Sequence, residues 1–144
     1  MAKIKPFDTN LTEAELRSRI MSAIRQLSRW WRPKNEAIAR ARVGRGKYKC
    51  EECGKIGPAS LPPLPWKKRK RKNIQADHIE PVVPIEGWKD DNNLFLNYNW
   101  NEVLERMFVP AEGFQAICWE CHSWEKWKTK QENKKRREYK NKQK

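Results

Sequence analysis

The chain has 144 residues, 38% of them hydrophobic, and a mean hydropathy of -1.05. This composition suits one domain with a small core and leaves no apolar run long enough to span a membrane. Lys and Arg number 32 against 18 acids, a net +14. That excess points to a polyanion, above all nucleic acid, because each phosphate neutralised releases counterions. A membrane surface fits less well, since no basic helix carries a long, clean apolar face.

Residues 1–10 read as a polar lead-in. Thr12 followed by Glu15 is a capping-box signature. It predicts a helix with Leu16, Ile20, Ile24, Leu27 and Trp31 on one face, widened by Met21 and Trp30. Arg17, Arg25 and Arg32 fall on the opposite face. Pro33 breaks this helix or starts the next, and Asn35 to Val43 reads as a short second helix exposing Arg40 and Arg42. These helices are either a supporting hairpin or a direct DNA contact.

Gly44 and Gly46 end the helical region, and Lys47 to Lys49 leads into Cys50-Glu51-Glu52-Cys53-Gly54. Residues 57–66 hold four prolines and Trp66, so they form an irregular loop. Lys67, Lys68, Arg69, Lys70, Arg71 and Lys72 follow as an unbroken basic run. Such a run repels itself and stays solvated unless a polyanion neutralises it. It reads as a phosphate-contacting loop or, alternatively, as an import signal.

Asn73 to Ile79 alternates like a strand, with Ile74, Ala76 and His78 on one face and Gln75, Asp77 and Ile79 on the other. Pro81 and Pro84 stop it. Residues 85–99 form a polar loop, and Asn101 to Phe108 reads as a helix with Val103, Leu104, Met107 and Phe108 inward. Phe114 to Cys118 approaches a second Cys-x-x-Cys. A helical pattern resumes from Trp119, with Trp124 and Trp127 as its apolar anchors. The tail from Lys126 carries ten Lys or Arg against two Glu and has no apolar stripe beyond Lys128. It is expected to fray or be disordered without a partner.

Cys50, Cys53, Cys118 and Cys121 form a pair of Cys-x-x-Cys motifs, and four thiolates suit tetrahedral structural zinc. No apolar leader precedes the domain, so a reducing, cytoplasmic location is expected, where metal binding is favoured over the competing assignment of disulfides. Structural zinc can supply roughly 10–16 kcal/mol, more than the net stability of a typical domain, so the fold is expected to depend on it. Both histidines of the chain stand beside metal-type neighbours: His78 follows Asp77, and His122 follows Cys121. Asp77 and His122 offer oxygen and imidazole ligands to a divalent ion, and His78 can activate a water. The plain alternative is two satisfied structural histidines.

Asp77-His78-Ile79-Glu80-Pro81-Val82, with Cys118-x-x-Cys121-His122 and Cys50-x-x-Cys53 around it, resembles the zinc-containing HNH endonucleases often encoded by bacteriophages. The resemblance covers about 48–130. It implies a ββα-metal core, so the chain as a whole is expected to be a small α+β fold: that core with a four-cysteine zinc site forms a nuclease domain over 47–130, while an N-terminal helical region (1–46) and a basic helical or disordered tail (131–144), read from the residues alone, lie outside the resemblance. It also implies hydrolysis of DNA phosphodiesters. By position, His78 resembles the general base, and Asp77 and His122 the ligands of one magnesium, manganese or nickel ion. Lys126 and Lys128 are candidates to hold phosphate, or members of the basic arm. Glu80 is a metal-site neighbour or a surface charge. The family's middle asparagine falls at Gly113 here, and Asn99 or Asn101 could stand in for it. Two other readings are a catalytically silent, zinc-stabilised nucleic-acid-binding protein and a zinc-ribbon subunit of an RNA-bound assembly.

Overall fold

A computed structural model describes residues 11–123 and 128–144. The polar lead-in, Lys126 and the two expected anchors Trp124 and Trp127 lie outside the described residues. The architecture is α+β, with five helices and short antiparallel sheets among the described residues.

Helix α1 (Glu13–Ser28) begins at the expected capping box: Glu15 N–H donates to Thr12 Oγ1, and Thr12 N–H donates to the Glu15 carboxylate. Its buried face is narrower than the apolar spacing suggests. Met21 is buried, but Leu27 is 67% and Trp30 87% exposed. The reason is length. Helix α1 packs across helix α3 (Trp100–Met107), where Met21 meets Val103 and Met107, so its last turn overhangs. Arg17 is likewise not on a free face. Its guanidinium donates to the Leu96 carbonyl at 3.0 Å and lies 5.1 Å over the Tyr98 ring. Trp31 closes the corner by donating from Nε1 to the Val109 carbonyl and meeting Phe108 edge-on.

Helix α2 (Arg32–Arg40) opens with Pro33 in its first turn and stops sooner than expected. Val43 belongs to strand β1 (Arg42–Gly44), which pairs with β2 (Lys47–Lys49), itself paired with β3 (Ile56–Gly57). Gly46, at φ +66°, makes the turn that a side-chain-bearing residue rarely adopts. Strands β4 (Ser60–Leu61) and β5 (Arg71–Lys72) form a separate hairpin that carries the basic run.

Strand β6 (Gln75–His78) falls inside the expected segment and pairs antiparallel with β7 (Phe114–Ile117). Asp77 faces Gln115 across the ladder, and His78 faces Phe114. Everything from Ile79 to Gly113, including α3 and a 3-10 turn at Ala111–Gly113, is inserted between these partners. Helix α4 (Trp119–His122) follows β7 and packs on β6, while α2 packs against both strands. In α3, Val103 and Met107 point inward as expected, but Leu104 is 43% exposed.

The core has two parts. One gathers Ala41, Cys50, Ile74, Ala116 and Ile117 with Cys118 and Cys121, and the other is the α1–α3 cluster. The tail is helical, one of the two forms expected of it. Helix α5 (Lys128–Lys142) carries i,i+4 pairs Arg136–Glu132 and Lys134–Glu138, and Arg136 donates to the Val83 carbonyl at 2.8 Å. A polar helix of this kind gains little from burial and rests on such pairs. No described helix is long and apolar enough to cross a membrane.

Candidate functional site

Two chain turns bring the four cysteines together. After β2, the Cys50 N–H donates to the Lys55 carbonyl and the Gly54 N–H to the Cys50 carbonyl, a tight turn that needs Gly54 at φ +75°. After β7, Cys118 sits at the start of α4 and Cys121 within it. The two turns are tied by backbone, since Glu51 N–H donates to the Ala116 carbonyl and Ala116 N–H donates back to the Glu51 carboxylate. The Sγ atoms of Cys50, Cys53, Cys118 and Cys121 all lie within 4.8 Å of one another.

These sulfurs fit a tetrahedral ion. Zinc–thiolate bonds of about 2.3 Å require sulfur–sulfur edges of about 3.8 Å. Cys53 and Cys118 are 3.8 Å apart, far beyond a disulfide, and all four thiols are free. The electrostatics point the same way. Burial pushes the Cys118 and Cys121 thiols up, and neighbouring thiols add to this at Cys121. Burial also opposes ionisation of Cys50, but backbone N–H donors from Cys53, Cys118 and Glu52 outweigh it and bring that thiol down to about 7. Two of these bonds measure 3.5 and 3.2 Å. Cys50 is the thiol most easily ionised by its surroundings, and a dication would offset the burial that opposes ionisation at Cys118 and Cys121.

Asp77 and His78 occupy the last two positions of β6, both half-buried. His78 Nε2 lies 2.9 Å from the Met107 carbonyl, and its ring sits 4.7 Å from Phe114. A carbonyl only accepts, so Nε2 carries the proton and a neutral ring bears its lone pair on Nδ1. His122 is exposed on α4, the helix packed on β6. Among the described residues, no tight group of three or more His, Cys, Asp or Glu ligands includes Asp77, His78 or His122.

The missing asparagine is not replaced by Asn99 or Asn101. Asn99 caps α3, accepting from Glu102 N–H and donating to the Asp90 carbonyl, while Asn101 is exposed on that helix. One polar contact to the His78 ring comes from the last turn of α3, through the Met107 carbonyl. Gly113 is required by space: a Cβ there would meet Val109 Cγ2 at 2.5 Å. Glu80 behaves as a surface charge, 82% exposed and 3.8 Å from Arg106.

Four functional neighbours escape a sequence reading. Arg40, expected on the basic surface, grips both Glu51 oxygens at 2.9 and 3.0 Å and donates to the Ala111 and Phe114 carbonyls. Glu51 thereby joins α2, the first cysteine turn and β7. Asn73, 6% exposed, donates to the Pro58 carbonyl and accepts from Trp119 N–H. Lys34 is half-buried beside Asp77, bonds Ser28 Oγ at 3.0 Å, and lies 5.8 Å over the Phe114 ring. Burial lowers its pKa, against the pull of Asp77. All four depend on contacts across long sequence separations.

Of the basic candidates, Lys67, Lys68, Arg69, Lys70 and Lys72 are exposed. Arg71 is turned inward, donating to the Pro62 carbonyl at 2.8 Å and stacking 5.1 Å over Trp119. Lys128 opens α5. No family profile matches this chain, and no curated protein or solved structure is similar to it.

Proposed function

We propose that the chain is a metal-dependent endonuclease of the HNH kind, acting on DNA phosphodiesters and stabilised by zinc on its four cysteines. The observation that carries this reading is the setting of His78. It ends a strand beside Asp77, its Nε2 proton is committed to the Met107 carbonyl, and the helix bearing His122 packs on that strand. The strand, strand, helix succession β6, β7, α4 supports a ββα core around these residues.

In this mechanism, Nδ1 of neutral His78 removes a proton from water as its oxygen attacks phosphorus. The P–O3′ bond breaks and the ring holds the proton. The Met107 carbonyl stabilises the imidazolium that forms and keeps the ring in plane with its task. Asp77 and His122 would hold one divalent ion (magnesium, manganese or nickel), which supplies charge neutralisation at the phosphate and the leaving oxygen. Lys34, within electrostatic reach of Asp77, adds a basic group near that carboxylate. The exposed Lys67–Lys70 segment and α5 supply backbone contacts, which position DNA without reading sequence.

The second reading is a silent nucleic-acid-binding protein on this scaffold, favoured by Gly113 at the family's asparagine position. A supercoiled-plasmid assay separates the two, run with wild type and His78→Ala in magnesium, manganese, nickel and EDTA. The nuclease reading expects metal-dependent nicking or linearisation, lost in the variant while DNA binding persists. Binding without conversion in any metal favours the silent scaffold. Equal cleavage by His78→Ala refutes the assignment of the base.

A further inference from the structure

The β4–β5 hairpin displays an unexplained pair of features, an exposed indole and a cationic run, on a rigid support. Trp66 is 76% exposed. It occupies a turn closed by Lys67 N–H donating to the Leu64 carbonyl at 2.9 Å, with Pro65 ahead of it. Pro62, Pro63 and Pro65 preset their own φ angles and limit the loop's freedom. Lys67, Lys68, Arg69 and Lys70 follow the indole directly, all exposed. The loop is therefore held with its aromatic group in water and four exposed cations beside it.

The base of the hairpin is anchored next to the candidate site. Ser60 pairs with Lys72 and Leu61 with Arg71. Arg71 crosses the neck to the Pro62 carbonyl and stacks on Trp119. Asn73 ties the Pro58 carbonyl to Trp119 N–H. Trp119 belongs to α4, the helix of Cys121 and His122. A ligand engaging the loop is thus tied through α4 to the metal-ligating turn.

Resting on the nucleic-acid reading above, we propose that this hairpin is a DNA-binding finger in which Trp66 stacks on an unpaired base while Lys67–Lys70 hold the flanking phosphates. A flat apolar face with anions on its flank is what a nucleotide presents. A paired, stacked duplex hides that face, and opening it costs unstacking energy. The finger therefore favours bubbles, gaps and single strands over intact duplex. Because every base has a π-face, it does so without sequence preference.

The test is fluorescence anisotropy of the full chain on a labelled oligonucleotide, either fully paired or with a central unpaired bubble, in buffer without added divalent metal. Wild type is expected to bind the bubble more tightly. Trp66→Ala loses about tenfold on the bubble, the scale of one base–aromatic stack, and little on the duplex. Trp66→Phe retains most of the affinity. The dependence on salt is unchanged, since no charge is removed, whereas replacing Lys67–Lys70 together by glutamine flattens it on both substrates. Unchanged circular dichroism and bound zinc establish that the variants fold. If wild type binds and Trp66→Ala matches it on the bubble, the finger is wrong and the nucleic-acid reading survives. If Trp66→Phe loses as much as Trp66→Ala, stacking is refuted. If wild type binds neither substrate, both fall.

Discussion

Putting asparagine at Gly113 sets the family pattern against this backbone. A Cβ on residue 113 falls 2.5 Å from Val109 Cγ2 and 2.7 Å from Val109 Cβ, where carbon atoms in contact prefer about 3.5–4.0 Å. Valine is stiff at χ1, and the second contact is to its Cβ, so relief requires the backbone to move. That backbone is held on both sides, by Gly113 N–H to the Pro110 carbonyl at 2.9 Å and by Ile79 N–H to the Gly113 carbonyl at 3.0 Å. The expected cost is that of overpacking, about 1–3 kcal/mol. At roughly 4 °C per kcal/mol for a domain of this size, the melting temperature falls by about 4–12 °C. The clash lies at Cβ, so Gly113→Ala carries most of the loss. Adding Val109→Ala recovers only part of it, because the Cβ contact stays. Thermal and urea unfolding of the two singles and the double measure this directly. Ile79 follows His78, so displacement of residue 113 reaches the base, and Gly113→Asn is expected to cut more slowly than the parent. A Gly113→Ala variant as stable as wild type, or a Gly113→Asn variant that cuts faster, would refute the reasoning.

Cys118→Ser is expected to lose bound metal and to unfold at ambient temperature, as structural zinc contributes about 10–16 kcal/mol; elemental analysis showing one zinc in a folded variant would contradict this. Arg40→Met removes the grip on Glu51 and two carbonyl bonds and is expected to cost about 1–2 kcal/mol in urea unfolding, while DNA affinity changes little. A large affinity loss without destabilisation would return Arg40 to the phosphate-contacting surface. Asn73→Ala leaves Trp119 N–H without its side-chain acceptor and is expected to cost about 1–3 kcal/mol, against no change if solvent replaces the amide.

What the sequence conveyed was local or chemically distinctive. Thr12 and Glu15 meet within one helical turn, so the start of α1 was legible. Two-residue alternation marked β6, and the repeated Cys-x-x-Cys announced thiols whose clustering the fold bears out. The failures share a cause: a helical wheel gives the direction of an apolar face but not how far along the helix its partner reaches. Trp30 and Leu27 continue the stripe past the end of α3 and stay exposed. Arg40 is exposed as expected, but an arginine on a polar face gives no hint that a glutamate eleven positions on will claim it. The tail takes the helical form, one of the two expected, and without an apolar stripe α5 draws on i,i+4 ion pairs and on Arg136 at the Val83 carbonyl. The Met107 carbonyl at His78 was beyond reach, because backbone acceptors have no sequence signature.

The distance along the chain between the two cysteine turns also dictates when this protein can fold. Cys53 and Cys118 are 65 positions apart, and β7, the partner of β6, emerges only after the whole Ile79–Gly113 insertion. During synthesis at about 5–20 residues per second, the first thiol pair waits several seconds for its counterpart. Through that interval Ile74 and Cys50 have no Ile117 or Cys118 to cover them. Helices α1 and α2 form early from local signals, but the strand pairing is non-local and slow to nucleate. A nascent chain halted before residue 118 therefore exposes half a metal site and an unpaired strand edge, the state in which capture of a stray ion or a neighbouring chain competes with folding.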